Sequence, residues 1–312
     1  AGTDSVAIGR RALRVQNFST ATSSMNVAVG ASAGNLITTG IQNTLIGGGA
    51  GDALTDSDYN VAVGYGALSS DTLGDRSIAI GHNALTTQNF TTSTQAYNTA
   101  VGHNVGASIT TATINTLIGG LAGDALTTGN SNTAVGYDAL GAEIQGDRNV
   151  AVGNAALKNQ SNSTDVDSYN TAVGYYAGTS VTTGTNNTLI GGLSGDAITD
   201  GTDNVAVGML TLSTNQRGSH NTAIGKDALL DMNPSGAADT ENTAVGYHAG
   251  RLITTGTENT VVGARALDAC TTGSSNVAVG QAALSSLTTA SNNVAVGKSA
   301  AASTTTGSQN TA

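Results

Sequence analysis

Apolar and polar residues alternate over a five-residue motif that recurs along the whole chain. In Asn60–Gly64 the β-branched residues Val61 and Val63 alternate with Asn60, Ala62 and Gly64. Alternation with a period of two predicts a short strand whose successive side chains point to opposite faces. Residues typical of turns flank each copy, so the sequence predicts many short strands and an all-β fold.

The glycine that ends each motif recurs at fixed spacings of 21, 17, 17 and 17 residues, which add up to a super-repeat of 72 residues. Such a period predicts a parallel β-solenoid, in which each coil buries its apolar face only by stacking on its neighbours. The seventeen glycines are Gly9, Gly30, Gly47, Gly64, Gly81, Gly102, Gly119, Gly136, Gly153, Gly174, Gly191, Gly208, Gly225, Gly246, Gly263, Gly280 and Gly297.

The register of these glycines never slips, so residues 1–312 are predicted to form a single continuous β-solenoid. The super-repeat units are 31–102, 103–174 and 175–246, with partial units at 1–30 and 247–312. Both ends of the sequence fall inside the pattern. We therefore expect a window of a longer fibrous protein.

Each position of the motif keeps its residue type. The residue before the glycine is always Val or Ile, and Asn stands four before it in fifteen coils, with Ser5 and Ser77 as the exceptions. Parallel stacking would turn these positions into ladders, with the Asn column passing hydrogen bonds from coil to coil. The glycine either takes a positive φ at a corner or leaves room for a neighbouring backbone.

Ala recurs three residues after the glycine in fourteen coils and predicts a second short strand that closes each coil as a flattened β-roll. The position two before the glycine is Ala in thirteen coils, which makes one face of the main strand smooth and apolar. We expect this face to be buried by packing three chains about an axis. Larger residues would thicken that layer at Leu45, Leu117, Leu189 and Val261.

Four segments differ strongly between super-repeats while the framework does not. They contain the extra residues of the long coils, and one of them carries the single proline, Pro234. They are predicted to be surface loops. The segments are Val15 to Met25, Thr87 to Tyr97, Asn159 to Tyr169 and Met232 to Glu241.

Composition excludes several functions. The net charge is −10 without any basic run, which argues against nucleic-acid binding. No apolar stretch is long enough to span a bilayer, so no membrane insertion is expected in this segment. The single cysteine, Cys270, aligns with Ile198, Leu126 and Leu54 in the repeat, which predicts an apolar core position.

No catalytic, cofactor-binding or metal residue is predicted, and the chain is not expected to be an enzyme. The four histidines (His82, His103, His220 and His248) fall on different coils. Asp52, Asp124, Asp196 and Asp268 recur once per super-repeat and are interpreted as turn caps. The pairs Asp75-Arg76 and Asp147-Arg148 are interpreted as exposed turn pairs. The glycine-rich run 47–51 lacks the Lys and Ser/Thr of a phosphate loop.

Tyr65, Tyr137, Tyr175 and Tyr247 each follow a repeating glycine. A row of exposed tyrosines could stack on sugar rings. The interpretation favoured by the sequence is that they cover the apolar rim of the roll. The sequence alone does not identify ligand-binding residues.

The motif residues also carry a family resemblance. Ser5–Gly9 (SVAIG) and Ser77–Gly81 (SIAIG) resemble the head repeats of trimeric autotransporter adhesins. Asn132–Leu140 (NTAVGYDAL) resembles the repeats of phage tail fibres even more. The resemblance spans all seventeen coils and implies a left-handed parallel β-roll, a homotrimer, extracellular or virion exposure and a role in attachment. Adhesin head coils are shorter, so the alternation of 17 and 21 residues favours the fibre-type proteins.

The leading functional prediction is a structural segment, the rigid trimeric shaft of a phage tail fibre or similar extracellular appendage. Its partners would be copies of itself in a homotrimer or longer filament, and a cell-surface receptor or glycan. The second prediction is a cell-surface adhesin head that binds host matrix or glycans through its variable loops. The third is an ice-binding solenoid, because Thr38-Thr39, Thr127-Thr128, Thr182-Thr183 and Thr254-Thr255 recur.

Overall fold

A computed structural model describes residues 2–312, and every regular element in that range is a β-strand. Successive strands pair in parallel, which makes the fold a parallel β-solenoid of about seventeen turns. The all-β and solenoid predictions are therefore confirmed. The chain divides into two compact units, one up to Asn149 with Ser161–Asp167 and one comprising Val150–Gln160 and Ser168–Ala312.

In the first unit, eight three-residue strands form one parallel ladder, each in register with the next. They are Val6–Ile8, Val27–Val29, Thr44–Ile46, Val61–Val63, Ile78–Ile80, Thr99–Val101, Thr116–Ile118 and Thr133–Val135. Two-residue strands add three parallel pairs beside the long coils: Gly2–Thr3 with Thr22–Ser23, Gly74–Asp75 with Thr94–Gln95, and Gly146–Asp147 with Val166–Asp167.

The second unit repeats this arrangement with nine three-residue strands in register. They are Val150–Val152, Thr171–Val173, Thr188–Ile190, Val205–Val207, Thr222–Ile224, Thr243–Val245, Thr260–Val262, Val277–Val279 and Val294–Val296. Gly218–Ser219 pairs with Ala238–Asp239, and Val294 forms a single parallel bridge with Thr311.

The two faces of the main strands differ in burial, as the alternation predicts. The face that reaches the surface carries the β-branched residues, and the Ala/Leu face lies inside. Ala62 and Leu45 are fully buried inside the roll, whereas Val61 and Val63 on the opposite face are only half-buried. The expectation that the Ala/Leu face lies outside is therefore wrong. The small residues fill a thin interior and leave the β-branched residues facing outward.

Leu45 fits this thin interior because glycines replace the bulky residues around it. A Cβ on Gly34 would lie 2.8 Å from Cδ1 of Leu45, and a Cβ on Gly51 would lie 2.8 Å from its Cδ2. In many turns whose strand carries Ala, the position of Gly51 is taken by a buried leucine such as Leu68 or Leu85. The large side chain therefore comes from the strand in some turns and from the closing segment in others, which keeps the packed volume close to constant.

The segment that closes each turn after the glycine is not the predicted second strand. It is a stacked turn in which alternate residues take a positive φ, as at Asn83 (54°) and Leu85 (50°). Their backbone N–H groups donate to different neighbouring turns, Asn83 to the Tyr65 carbonyl (2.9 Å) and Leu85 to that of Val105 (3.1 Å). A left-handed conformation costs a non-glycine residue about 1–2 kcal/mol, which these contacts between turns offset.

The asparagine column carries hydrogen bonds from turn to turn, as predicted. The Asn60 N–H donates to Oδ1 of Asn43 (2.9 Å), and Oδ1 of Asn60 accepts the N–H of Ser77 (2.8 Å). Nδ2 of Asn60 also donates to the carbonyl of Gly74 (2.9 Å), on the far side of the same turn. Each side chain therefore joins neighbouring turns and braces its own turn.

The repeating glycine satisfies both of the requirements that the sequence left open. Gly64 has a φ of +139°, which L side chains rarely adopt. A Cβ at this position would also lie 2.3 Å from the carbonyl oxygen of Gly81 in the next turn. The corner thus needs glycine for its conformation and for the approach of the neighbouring backbone.

We predict that Gly64→Ala lowers the free energy of unfolding by at least about 3 kcal/mol, because it adds both φ strain and a backbone clash. Gly48→Ala is the control. Its φ lies outside the left-handed region, and its Cβ would meet only the Tyr65 ring at 3.4 Å. Urea denaturation of both variants tests this, and equal stability of the two would contradict it.

We also predict that Asn60→Ala costs about 2–3 kcal/mol, because it leaves the buried Ser77 N–H and Gly74 carbonyl without partners. Hydrogen exchange should show faster exchange at the Ser77 amide and in the turns on either side. Asn159→Ala, at an exposed position, serves as the control. Unchanged protection of Ser77 would refute the role assigned to the column.

Candidate functional site

Cys270 occupies an apolar core position, as predicted. Its side chain is fully buried, and its Sγ lies 3.7 Å from the Gly273 carbonyl oxygen. Burial raises the pKa of the Cys270 thiol, which disfavours the reactive thiolate. In residues 2–312, no group of three His, Cys, Asp or Glu side chains is placed to hold a metal ion, and no helix has the length and apolarity to cross a membrane.

Two of the four histidines stack on each other, and each of the four makes a defined contact. The ring of His82 stacks on that of His103, with centroids 5.2 Å apart, and on that of Tyr65, with centroids 5.6 Å apart. His220 lies 3.0 Å from Oδ1 of Asp239 and 3.7 Å from Oδ2 of Asp203. Nε2 of His248 lies 2.9 Å from Oδ2 of Asp227. Sequence reasoning missed the stack of rings.

The Asp-Arg pairs make contacts within the chain. The Arg76 guanidinium lies over the rings of Tyr59 and Tyr97, 4.7 and 5.8 Å from their centroids. Oδ1 of Asp75 accepts the backbone N–H of Asp58 at 2.8 Å. In the next super-repeat Arg148 forms an ion pair with Asp167. Both arginines therefore have partners within the chain at exposed positions of the roll.

The first threonine of each recurring pair uses its hydroxyl proton inside the structure. The hydroxyl of Thr38 donates to the Thr55 carbonyl (3.2 Å), and that of Thr182 donates to the Thr199 carbonyl (3.1 Å). Thr127 and Thr254 make the same contact with the following turn. These four hydroxyl protons are therefore directed at the adjacent turn, while the second threonine of each pair lies at an exposed position.

The variable segments are only partly surface loops. In Thr87 to Tyr97, Gln88 and Phe90 are buried, while residues 91–93 are exposed. Nε2 of Gln88 donates to the Asp71 carboxylate (2.6 Å) and to the hydroxyl of Ser77 (3.0 Å). Gln88 and Phe90 therefore belong to the core, while the tip 91–93 is exposed.

Two buried carboxylates were not singled out by sequence reasoning. Asp71 accepts the backbone N–H groups of Gly74 (3.0 Å) and Phe90 (3.1 Å) in addition to the amide of Gln88. Glu143, one super-repeat later, accepts four backbone N–H groups and the side-chain amide of Asn162. Asn215 takes the same place in the third super-repeat. The position therefore shapes a turn, and catalysis does not explain it.

The residues that directly follow the repeating glycines form a surface column, which we call the corner column. In the first unit it runs through Arg10, Ala31, Gly48, Tyr65, His82, His103, Gly120 and Tyr137, and in the second through Asn154, Tyr175, Gly192, Met209, Lys226, Tyr247, Ala264, Gln281 and Lys298. Its tyrosines are 44–68% exposed, with Tyr65 the most open.

A cavity of about 440 Å³ opens in the corner column at Gly48. The Tyr65 ring forms one wall, and Asp52, Ser69 and Asn83 supply polar groups around it. Burial raises the pKa of the Asp52 carboxyl. In the sequence, Gly48 is interpreted as part of the repeat framework and Asp52 as a turn cap. Only the stacking of turns brings both residues beside Tyr65.

Comparisons of this chain with protein-family models, with curated proteins and with solved structures found no match. Its function is therefore argued from its own fold and surfaces.

Asp71 generates a prediction about pH. Burial raises the pKa of its carboxyl above the ordinary 3.8, so the folded chain holds this proton more tightly than the unfolded chain. Its contribution to stability is present below the ordinary pKa and is lost as the pH rises through the raised pKa, at about 1.4 kcal/mol per pKa unit. Asp71→Asn should remove this loss between pH 3 and pH 7.

Urea denaturation at several pH values measures the effect. The control is Asp165→Asn, which replaces an exposed carboxylate in another loop. Identical pH profiles for Asp71→Asn and the unchanged chain would overturn the assignment.

Proposed function

We propose that this protein is a non-enzymatic structural fibre segment, the rigid homotrimeric shaft of a tail fibre or similar extracellular appendage that serves attachment. The observation that carries the proposal is the outward face of the main strands, which we call the Val/Ile face. It has Val or Ile one position before every repeating glycine and Val, Ile or Thr three positions before it. This face runs along the ladder of both units, and a copy of the same chain is the partner that would cover it.

The Val/Ile face is unusually apolar for a surface exposed to water. On its strands Ile46 is 40% exposed, Ile80 is 37% and Ile224 is 38%. In-register pairing places one such residue on every turn, about 4.8 Å from the next. Contiguous apolar surface of this kind marks an interaction site. Identical chains offer identical ladders, so a symmetric assembly can cover the face along its length.

A structural role is supported by the way the polar groups are used. The buried side chain of Asn60, the carboxylate of Asp71 and the hydroxyl of Thr38 all bond to neighbouring turns. Such groups stiffen the fold and are not free to act on a substrate. The three-chain assembly, the left-handed roll and the extracellular or virion location follow from the resemblance to fibre and adhesin repeats.

Adhesion by this segment itself is the second candidate. The exposed tip 91–93 of the Thr87 to Tyr97 loop projects polar groups, and its sequence differs from those of the other loops. A receptor or glycan would be its partner. Attachment by the loops and a shaft role are compatible within one appendage.

We expect sedimentation equilibrium of the whole chain to give three times the chain mass of 30.6 kDa. The double substitution of Val63 and Ile80 by Lys should lower the assembled fraction at least about tenfold, because both charges would have to be desolvated in the interface. The matched control replaces Thr91 and Thr92, two exposed residues of a loop tip, by Lys.

Circular dichroism checks that both variants keep the β-structure. A single-chain mass for the unchanged protein would refute the trimer, and equal loss of assembly in both variants would refute the role of the Val/Ile face.

A further inference from the structure

We propose that the gap at Gly48 in the corner column is a binding site for one neutral pyranose ring, which stacks on the open face of Tyr65. The site lies beyond the glycine corner that ends each main strand and uses no residue of the Val/Ile face. It goes beyond the shaft role, and its occupation does not depend on how many chains assemble.

The gap is one missing ring in a stack. Tyr65, His82 and His103 stack in succession, with centroids 5.6 and 5.2 Å apart. The next position in the column is Gly48, and a Cβ built there would lie 3.4 Å from Cδ2 of Tyr65. The second face of the Tyr65 ring is therefore open where the stack would continue.

The height of the gap matches one ring. Ala31 lies one turn beyond Gly48, on the side away from Tyr65. Two turns, or about 10 Å, therefore separate the level of Tyr65 from that of Ala31. Ring centroids stack favourably at about 4.5–7 Å, which leaves room for a single ring between the two levels. The small methyl group of Ala31 does not fill the space from the other side.

The chemistry around the gap suits a sugar. The face of Tyr65 carries negative quadrupole charge and attracts the weakly positive C–H groups on one face of a pyranose. Asp52, Ser69 and Asn83 line the cavity and can accept or donate hydrogen bonds at the hydroxyl edge of the ring. An apolar wall with a few converging polar groups is typical of small-molecule sites, and about 440 Å³ falls within their range of sizes.

Charge selects neutral sugars. Asp52 stands in the cavity, and the whole chain carries a net charge of −10. The carboxylate of a uronic or sialic acid would be repelled by both. A flat aromatic compound would stack on Tyr65 but would leave the polar groups of the cavity unpaired, which costs affinity.

The same arrangement recurs once per super-repeat. Four small residues of the column, one per super-repeat, each lie next to at least one aromatic ring and are followed four residues later by a partly buried aspartate. Burial raises the pKa of all four of these aspartates. The gaps and their flanking residues are Gly48 (Ala31, Tyr65), Gly120 (His103, Tyr137), Gly192 (Tyr175, Met209) and Ala264 (Tyr247, Gln281).

Repetition would strengthen weak binding. The gaps at Gly48 and Gly120 both lie in the first unit, four turns or about 19 Å apart. A glycan chain or a glycan-covered surface that reaches two gaps gains avidity without any new contact. Single sites of low affinity therefore suffice for attachment.

The test isolates one gap. Gly120→Leu, Gly192→Leu and Ala264→Leu together fill three gaps, at positions where φ is not in the left-handed region. On this background, methyl β-D-galactopyranoside, methyl α-D-glucopyranoside and methyl α-D-mannopyranoside are titrated by saturation-transfer NMR. We expect saturable binding of at least one of them, at least about tenfold stronger than that of methyl β-D-glucuronide.

Two further substitutions locate the site. Tyr65→Ala should weaken binding at least about tenfold, and Gly48→Leu should abolish it. Tyr97→Ala is the matched control, since Tyr97 is also exposed but stacks on Arg76 away from the cavity. It should leave binding unchanged.

Several results would overturn the proposal. They are no saturable binding of a neutral pyranoside to the unchanged chain, equal losses in the Tyr65 and Tyr97 variants, and a preference for the glucuronide or for an aromatic ligand such as indole. If the triple-leucine variant loses its β-structure, Tyr65→Ala and Gly48→Leu are made in the unchanged chain. Each should then remove one of the binding sites. Sedimentation of these variants separates a failure of this proposal from a failure of the trimer.

Discussion

The hydrogen-bonded column of buried asparagines is the interaction on which the rest of the structure depends. Backbone pairing between three-residue strands is too short to fix a register alone, because a slip would leave few bonds unmade. An amide side chain that binds the next turn at one end and its own turn at the other adds a register mark on nearly every turn. Asn60 illustrates this double role. Ser77 interrupts the column, and there Gln88 reaches in from the long loop to supply hydrogen bonds.

With the register fixed, the fold can tolerate a backbone that would be unfavourable alone. Residues such as Leu85 hold a positive φ in turn after turn. Because the N–H groups of left-handed residues such as Asn83 and Leu85 bond to adjacent turns, the strain is shared along the stack and offset locally. The repeating glycines sit where no side chain fits between adjacent backbones. The thin core follows from the same close approach and needs Ala62 beside Leu68, or Leu45 beside Gly51.

The sequence predicted the strands, the ladder and the core position of Cys270 because a strict period determines which residues stack. It did not predict which face of the strand is outside, because Ala and Val are both apolar and periodicity alone does not order them. The closing turn was mistaken for a strand, since a run of left-handed leucines has no signal in residue propensity. Asp71 and the cavity at Gly48 were missed for another reason. Each depends on residues from neighbouring turns, whose side chains meet only after stacking.

The place held by Asp71 shows how the copies of a duplicated segment drift apart without losing their shape. Asp71 faces Gln88 in one copy, while Glu143 and Asn215 hold the equivalent place in the next two, with Gln160 and Met232 at the positions equivalent to Gln88. Each copy keeps a buried side chain that accepts the N–H of the glycine three residues later. The acid is paired with a glutamine in two copies, and the amide Asn215 is paired with Met232 in the third. The two members of this contact lie on adjacent coils, so a duplicated pair of coils carries both of them together. Two adjacent coils that are duplicated together keep their matching residues. A junction between them could instead place an acid such as Asp71 beside the thioether of Met232.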